Sequence, residues 1–277
     1  MVDERESLLF QWSEVGFDID GFRQSVSTNH TACIRGLVTQ DRARQARDYL
    51  MNNINPEEDE IHDPSNHMRM ANYLQKRVES GSYKQSSKHF SPTGRNLRML
   101  INPMWDEDRL GMHDIFEQLI DFRNLLYGKE KGFAKFGVSD GMWTASRVHH
   151  YEVGKGFMDV HSDKVLSSVS RESGLDNYFQ IVLLLSEKPG DFVEGGGYAM
   201  IGNRDIILED EFEIGDVVVY DGSIPHGVKL IGSNNPSHHN QLSGRFAAFV
   251  SLYKDLGGMK EYVDSLDHDA GSLRTPQ

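Results

Sequence analysis

Three side chains in two separate stretches of the sequence have the residue types of a metal site. His161 and Asp163 stand two positions apart, and His226 lies in the later stretch 215–228. In a strand, residues two apart project from the same side, so one imidazole nitrogen and one carboxylate oxygen can reach a single ion. Two histidines and one carboxylate form the facial triad that binds Fe(II) and leaves coordination positions open. The sequence therefore predicts an Fe(II) site with His161, Asp163 and His226 as ligands.

The sequence around these residues is a more specific signal of a metal site than the three residue types themselves. The chain has 12 histidines, so a second histidine somewhere after a His-x-Asp pair is common by chance. The adjacent residues His238 and His239 are rival ligands, but they lie in a polar stretch where neighbouring side chains diverge, and a solvated loop is favoured for them. The first stretch instead opens with Tyr151-Glu-Val-Gly154, and the second runs from Gly215-Asp216 through an apolar segment to Pro225-His226.

The elements that must position these residues are short strands. Residues 133–253 show period-two segments broken by Gly, Asn, Asp and Pro, which is typical of an all-β core. The run from Tyr178 to Leu185 is continuously apolar and predicts a buried strand. Together these segments predict a mainly β fold with flanking helices, built on a double-stranded β-helix, which is a jelly-roll of the cupin-like kind.

The preceding part of the chain is expected to support this core. Residues 1–277 are predicted to form a single domain in which 1–130 is a mostly helical support region and 264–277 is a flexible tail. Helices are predicted after Thr39, as an N-cap, and over Met68–Val78 and Trp105–Tyr127. The loop Ser80–Gly94 is either a lid or a plain surface loop.

Composition excludes several other classes of protein. The net charge of −13 argues against binding to nucleic acid, whose phosphates need cationic partners. A single cysteine, Cys33, allows no intramolecular disulfide and favours a reducing compartment. The first residues have no basic and apolar leader, and the longest apolar run, Ile181 to Leu185, is too short to span a bilayer. We therefore expect a cytoplasmic protein without a membrane partner.

The two stretches together resemble the Fe(II)/2-oxoglutarate-dependent dioxygenases, in particular the branch that includes the prolyl hydroxylases. The resemblance covers roughly residues 147–253 and rests on Tyr-x-x-Gly before His-x-Asp, a Gly-Gly strand, and Gly-Asp before the distal histidine. It implies that Fe(II), 2-oxoglutarate as cosubstrate and O2 take part. It also implies hydroxylation of an unactivated C–H bond with release of succinate and CO2.

The resemblance also assigns the residues that bind 2-oxoglutarate. In this family a basic residue on the strand after the distal histidine binds the C5 carboxylate, and Arg245 is the match, with a planar guanidinium suited to a carboxylate. Nineteen positions separate it from His226, because residues 233–240 read as an inserted loop. Ala247 stands where the family often has a serine. We therefore expect the second partner of the carboxylate to be Tyr151.

The substrate is predicted to be a small metabolite, such as an amino acid derivative or a natural-product intermediate. Arg147 and His149 share a strand face with Tyr151 and are candidate substrate-binding residues, together with Gln180. For Arg147, an ion pair inside the protein is the equal alternative. A carboxylate at Asp163, where related halogenases have a small residue, implies hydroxylation, desaturation or ring chemistry rather than halogenation.

Two functions of other classes use the same residues. A non-catalytic cupin-like protein would bind a metal or another ligand without an anchor for 2-oxoglutarate, so Arg245 distinguishes it. A zinc hydrolase could use the same three ligands, but the sequence offers no identifiable general base for it.

Overall fold

The computed structural model describes residues 8–61, 72–79, 94–172, 174–175, 177–201, 204–235, 242–255, 260–261 and 263. Within these residues, the strands are β1 (Leu9–Gln11), β2 (Thr31–Arg35), β3 (Glu60–Ile61), β4 (Leu74–Val78), β5 (Arg95–Ile101), β6 (Met142–Glu152), β7 (Phe157–His161), β8 (Phe179–Leu184), β9 (Glu194–Ile201), β10 (Arg204–Ile207), β11 (Val217–Asp221), β12 (His226–Gly232) and β13 (Gly244–Lys254). The α-helices are α1 (Ile19–Asn29), α2 (Gln40–Asn53), α3 (His113–Leu126), α4 (Lys164–Glu172) and α5 (Leu208–Glu211).

The last eight strands form the double-stranded β-helix that the sequence predicts. One sheet contains β6, β13, β8 and β11 in that order, and the facing sheet contains β7, β12, β9 and β10. Strand β5 joins the two sheets, because residues 98–101 pair with β6 whereas residues 95–96 pair with β7. Apart from the adjacent pair β9 and β10, consecutive strands lie in opposite sheets, so residues far apart in sequence line one interior. The predicted fold class is confirmed.

The first of these sheets is buried on both faces. In β8, Ile181 and Leu183 contact the layer of helices, while Val182 and Leu184 fill the barrel. The same alternation holds along β11 and β13, since successive side chains point to opposite faces. This explains why the strand β8 is a continuous apolar run rather than an alternating one.

The support region is mixed, whereas the sequence predicted it to be mostly helical. Helices α1 and α3 pack on the outer face of the barrel sheet, but β1 and β2 extend that sheet beyond β11, and β4 and β5 extend it beyond β6. The added strands cover edges that would otherwise leave backbone groups unpaired. The predicted helix Met68–Val78 is wrong for residues 74–78, which form β4. The strand pattern of β4 is concealed in the sequence because its charged residues are buried through their aliphatic stems.

Two predicted helices are present with sharper boundaries. Helix α2 begins as predicted, because the side chain of Thr39 accepts a hydrogen bond from the Arg42 N–H. Helix α3 begins at His113 instead of Trp105, and the carboxylate of Asp108 accepts hydrogen bonds from the N–H groups of Met112 and His113. The acidic residues before α3 therefore lie in a loop that caps the helix.

Several predictions concern residues outside the described part of the chain. They are the lid or loop at 80–93, the rival ligands His238 and His239, and the tail 264–277. Among the described residues, no helix combines the length and apolar character needed to cross a membrane.

Candidate metal and cosubstrate site

The three predicted metal ligands converge at one point inside the barrel. His161 ends β7, His226 begins β12, and the two residues are direct partners in the pairing of these strands. One potential ligand atom of each histidine and of Asp163 lies within 4.8 Å of the others. The Nε2 atoms of His226 and His161 are 3.4 and 3.8 Å from the Asp163 carboxylate. This spacing brings all three within reach of a single ion.

The position of Asp163 differs from the sequence-based expectation in one respect. The strand ends at His161, so Asp163 lies in the turn before α4 and not on the strand itself. Its N–H donates to the carbonyl of Gly222 over 2.7 Å, which ties this turn to the segment leading to His226. Gln180 on β8 donates from Nε2 to Asp163 Oδ2 over 2.7 Å. The carboxylate is therefore oriented by contacts across the barrel rather than by strand periodicity.

Both histidines present Nε2 toward the common point. The Nδ1 atom of His161 is 2.9 Å from the carbonyl oxygen of Asp159, and that of His226 is 2.9 Å from the carbonyl oxygen of Ile224. A carbonyl can only accept, so each Nδ1 carries the hydrogen and each Nε2 keeps a lone pair for a metal. The same backbone contacts hold the rings in place.

The protonation states also suit a metal ion. Burial and the neighbouring His226 lower the pKa of His161 below its usual value, which favours the neutral imidazole that can bind a metal. Burial by itself would raise the pKa of Asp163, but its neighbours His226 and Gln180 outweigh this, so the pKa is lowered and the carboxylate form is favoured. Nitrogen and carboxylate ligands without a thiolate fit Fe(II).

A second group of predicted residues lies on β6 and β13 and offers donors to an anion. Arg245 on β13 and Tyr151 on β6 are direct partners, and the guanidinium carbon lies 5.7 Å from the tyrosine ring centre. Arg245 is only 2% exposed, and its Nη1 has no hydrogen-bond partner among the described residues. A buried guanidinium nitrogen without an acceptor is the donor that the C5 carboxylate of 2-oxoglutarate requires. These residues therefore fit the cosubstrate.

The guanidinium of Arg245 is held by a residue that the sequence analysis missed. Glu209 on α5 accepts a hydrogen bond from Arg245 Nε over 2.5 Å and another from the Gly197 N–H over 2.7 Å. A Cβ atom at position 197 would lie 2.6 Å from Arg245 Nη2, so glycine makes room for the guanidinium. Burial of Arg245 implies an acidic partner. With 42 acidic residues in the chain, only the fold identifies which one it is.

The predicted substrate residues Arg147 and His149 line the same inner face of β6. Arg147 Nε donates to His149 Nε2 over 3.1 Å, and His149 Nδ1 lies 3.5 Å from the hydroxyl of Tyr151. Burial, followed by the charges of Arg147, Arg95 and Arg245, holds the pKa of His149 well below its usual value. His149 is therefore neutral and separates two guanidinium groups.

The internal ion pair considered for Arg147 is not found. No carboxylate lies within 4.0 Å of its nitrogens in the part of the chain that the structure describes. Gln180, the third predicted substrate residue, lies in the site, but its amide nitrogen binds Asp163. Its amide oxygen is buried and has no described partner.

Comparison with known proteins supports the fold and goes no further. No protein-family model and no curated protein sequence matches the chain. A prolyl-4-hydroxylase from Pseudomonas putida aligns over 85% of this chain and 99% of its own with a TM-score of 0.51 and 13% identity. A 2OG-Fe(II) oxygenase family member from Burkholderia pseudomallei aligns over 91% and 98%, respectively, with 10% identity and a TM-score of 0.44.

A third structure is a prolyl hydroxylase from Trichoplax adhaerens, in complex with a hypoxia inducible factor peptide fragment. It has 12% identity and a TM-score of 0.48 and covers 88% of this chain and 90% of its own. The chain thus shares the jelly-roll fold of the Pseudomonas prolyl-4-hydroxylase, as its two barrel sheets already indicated.

Proposed function

We propose that the protein is an Fe(II)/2-oxoglutarate-dependent dioxygenase that hydroxylates an unactivated C–H bond of a small metabolite. The observation that carries the proposal is the presence of two complementary sites in one barrel. His161, Asp163 and His226 share one potential ion position, and Arg245 on β13 keeps a buried donor without a partner among the described residues. A metal site next to an anion site is what binding of a metal-chelating dicarboxylate needs.

Each residue has a definite role in this proposal. The triad would hold Fe(II) with its three remaining positions open, and Arg245 with Tyr151 would bind the C5 carboxylate of 2-oxoglutarate. When bound, Fe(II), 2-oxoglutarate and O2 supply the oxidising power for C–H hydroxylation, with succinate and CO2 as coproducts. Burial raises the pKa of Tyr151 to about 12, so its hydroxyl stays protonated and can donate to a carboxylate.

The barrel itself positions the reactants and excludes water. Tyr220 lies beside His226, with the ring centres 5.1 Å apart, and burial keeps its phenol neutral by raising its pKa. Gln180 holds one oxygen of Asp163, which orients this ligand toward the ion position. Because Asp163 supplies a carboxylate, that coordination position is filled by the protein. This supports hydroxylation rather than halogenation.

A non-catalytic cupin-like binding protein is the second candidate. It would account for the barrel and the triad, but it does not require a buried guanidinium whose Nη1 has no partner among the described residues. A desaturase or cyclase of the same family would use the residues as proposed here. Product mass separates these outcomes, since hydroxylation adds one oxygen atom whereas desaturation and ring closure remove two hydrogens.

Anaerobic addition of Fe(II) and then 2-oxoglutarate tests the proposal. We expect a weak visible charge-transfer band at about 500 nm from an iron with open positions. D163A should abolish the band because the variant does not hold the iron. In R245Q the band should appear only at a higher concentration of 2-oxoglutarate. If R245Q leaves 2-oxoglutarate binding unchanged, the cupin-like function is supported instead.

Succinate release across a panel of metabolites tests the substrate class. Coupled release with a small molecule supports the proposal. Turnover with peptide or protein substrates alone would contradict the assignment to a small metabolite, while leaving the dioxygenase chemistry intact.

A further inference from the structure

Arg147 is the exception among the buried arginines of the described chain. Three of the other four form ion pairs with a buried or half-buried carboxylate, and the fourth, Arg123, donates five hydrogen bonds. The ion pairs are Arg77 with Glu152, Arg98 with Asp59, and Arg245 with Glu209. Arg147 is 5% exposed, has no carboxylate partner among the described residues and donates only two hydrogen bonds there.

The contacts of Arg147 leave most of its donors unused. A guanidinium has five N–H groups. Within the described residues, Nε donates to the neutral His149 and Nη1 donates to the Ala145 carbonyl over 3.3 Å, which accounts for two of them. The group also lies over the rings of Phe249 and Tyr253, at 5.1 and 5.5 Å from their centres. Aromatic faces attract a cation but do not fill its remaining donor positions.

The guanidinium faces the space that contains the metal ligands. It lies over the ring of Phe249, which shares a cluster in the barrel interior with Tyr220, and the Tyr220 ring lies beside that of His226. Along β6, Arg147 lies four positions from Tyr151, which partners Arg245, so the two arginines are offset by about 13 Å along the strand direction. Neutral His149 lies between them. One anion bound at Arg245 therefore leaves the donors of Arg147 free for a second.

We propose that the substrate carries a carboxylate and that Arg147 binds it, with the apolar part of the substrate against Phe249 and Tyr253. This inference rests on the proposed function, which assigns Arg245 to 2-oxoglutarate. A carboxylate is favoured over a phosphate because a single planar guanidinium matches its two oxygens, and a single cation balances its single charge. Arg147 is thus a specificity-determining residue.

Isothermal titration under anaerobic conditions tests this inference without turnover. The protein is first saturated with Fe(II) and 2-oxoglutarate, so that the metal and Arg245 are occupied, and is then titrated with benzoate, benzamide or inorganic phosphate. We expect saturable binding of benzoate alone. R147M, which keeps the length of the side chain without its charge, should weaken benzoate binding at least about tenfold. R147K, which keeps the charge, should give an intermediate value.

The outcomes separate this inference from the proposed function. Benzoate binding that is absent, or that is equal in wild type and R147M, overturns the inference, and so does a preference for phosphate. Loss of 2-oxoglutarate binding in R147M would assign Arg147 to the cosubstrate and also overturn it. If wild-type protein fails to bind 2-oxoglutarate, the proposed function is contradicted, and benzoate titration of the Fe(II) protein then decides the carboxylate site on its own.

Discussion

The two faces of strand β6 bury positive charge in different ways. On the outer face, Thr144, His150 and Glu152 accept hydrogen bonds from three arginines of neighbouring elements. On the inner face, Arg147 and His149 lie in the barrel, where Arg147 has no acidic partner among the described residues. Folding alone satisfies the outer charges, whereas no carboxylate among the described residues balances the charge of Arg147. This difference supports the proposal that a ligand completes the site at Arg147.

Removing an arginine from each face gives the largest expected contrast. R123M would remove the five hydrogen bonds that Arg123 donates to buried oxygens of Thr144, Asn124, Val250 and Phe133, and we expect the free energy of unfolding to fall by about 4 kcal/mol. R147M should leave it unchanged or raise it, because an under-paired buried charge is removed. Urea unfolding of both variants checks this. Equal losses would show that the two faces do not differ.

The two buried glutamines that bind an aspartate sharpen the comparison. Gln180 binds Asp163 in the barrel, and Gln75 binds Asp59 in the outer layer over 2.8 Å. We expect Q180L to weaken Fe(II) binding about 10- to 100-fold, because Gln180 orients the proposed metal ligand Asp163. The same change should have little effect on the free energy of unfolding. Q75L should lower stability and leave Fe(II) affinity unchanged. Anaerobic metal titration and urea unfolding of both variants measure these effects, and a reversed pattern would contradict the roles.

A glycine next to Arg245 tests the cosubstrate end of the barrel. In G197A the new methyl group would lie 2.6 Å from Arg245 Nη2 and 3.0 Å from the Leu208 side chain, so the guanidinium must shift. We expect the dissociation constant of 2-oxoglutarate to rise about tenfold, which is about 1.4 kcal/mol. G132A, where a Cβ meets nothing within 4 Å, is the matched control. An unchanged constant in G197A would argue against Arg245 as the anchor.

The last expected effect is the pH dependence contributed by His150 on the outer face. Burial, followed by the charge of Arg98, lowers the pKa of His150 to about 3 in the folded state. Below the usual value of about 6.5 the unfolded state takes up a proton that the folded state does not. The contribution of neutral His150 to the free energy of unfolding is therefore fully present above pH 6.5. It is lost as pH falls toward 3, by up to about 1.4 kcal/mol per pH unit.

The variant H150Q should remove this contribution, so the difference in free energy of unfolding between the wild type and H150Q should change between pH 6.5 and 4. Urea unfolding over that range measures it. A difference that stays constant with pH would contradict the assignment to His150.

Much of the fold followed from local patterns in the sequence. The strands β8 to β13 could be predicted because alternating or continuous apolar runs broken by turn residues depend only on neighbours in the chain. The three candidate metal ligands could be predicted because His161 and Asp163 stand only two positions apart and the distal histidine follows a recognisable Gly-Asp and apolar run. The strands β4 and β5 were missed, since their buried charged side chains conceal the pattern.

Contacts between distant elements were decided by the tertiary structure alone. Glu209 and Arg245 are 36 residues apart, and Gln180 and Asp163 are 17 apart, and in neither case does a sequence pattern connect the two partners. Likewise, only the packed barrel shows that Arg147 lacks an acidic partner among the described residues while Arg98 has one. The sequence determines which face of a strand a side chain occupies, because that depends on period two. Which charges meet across the barrel depends on strand order and register, and these are set when the two sheets pack.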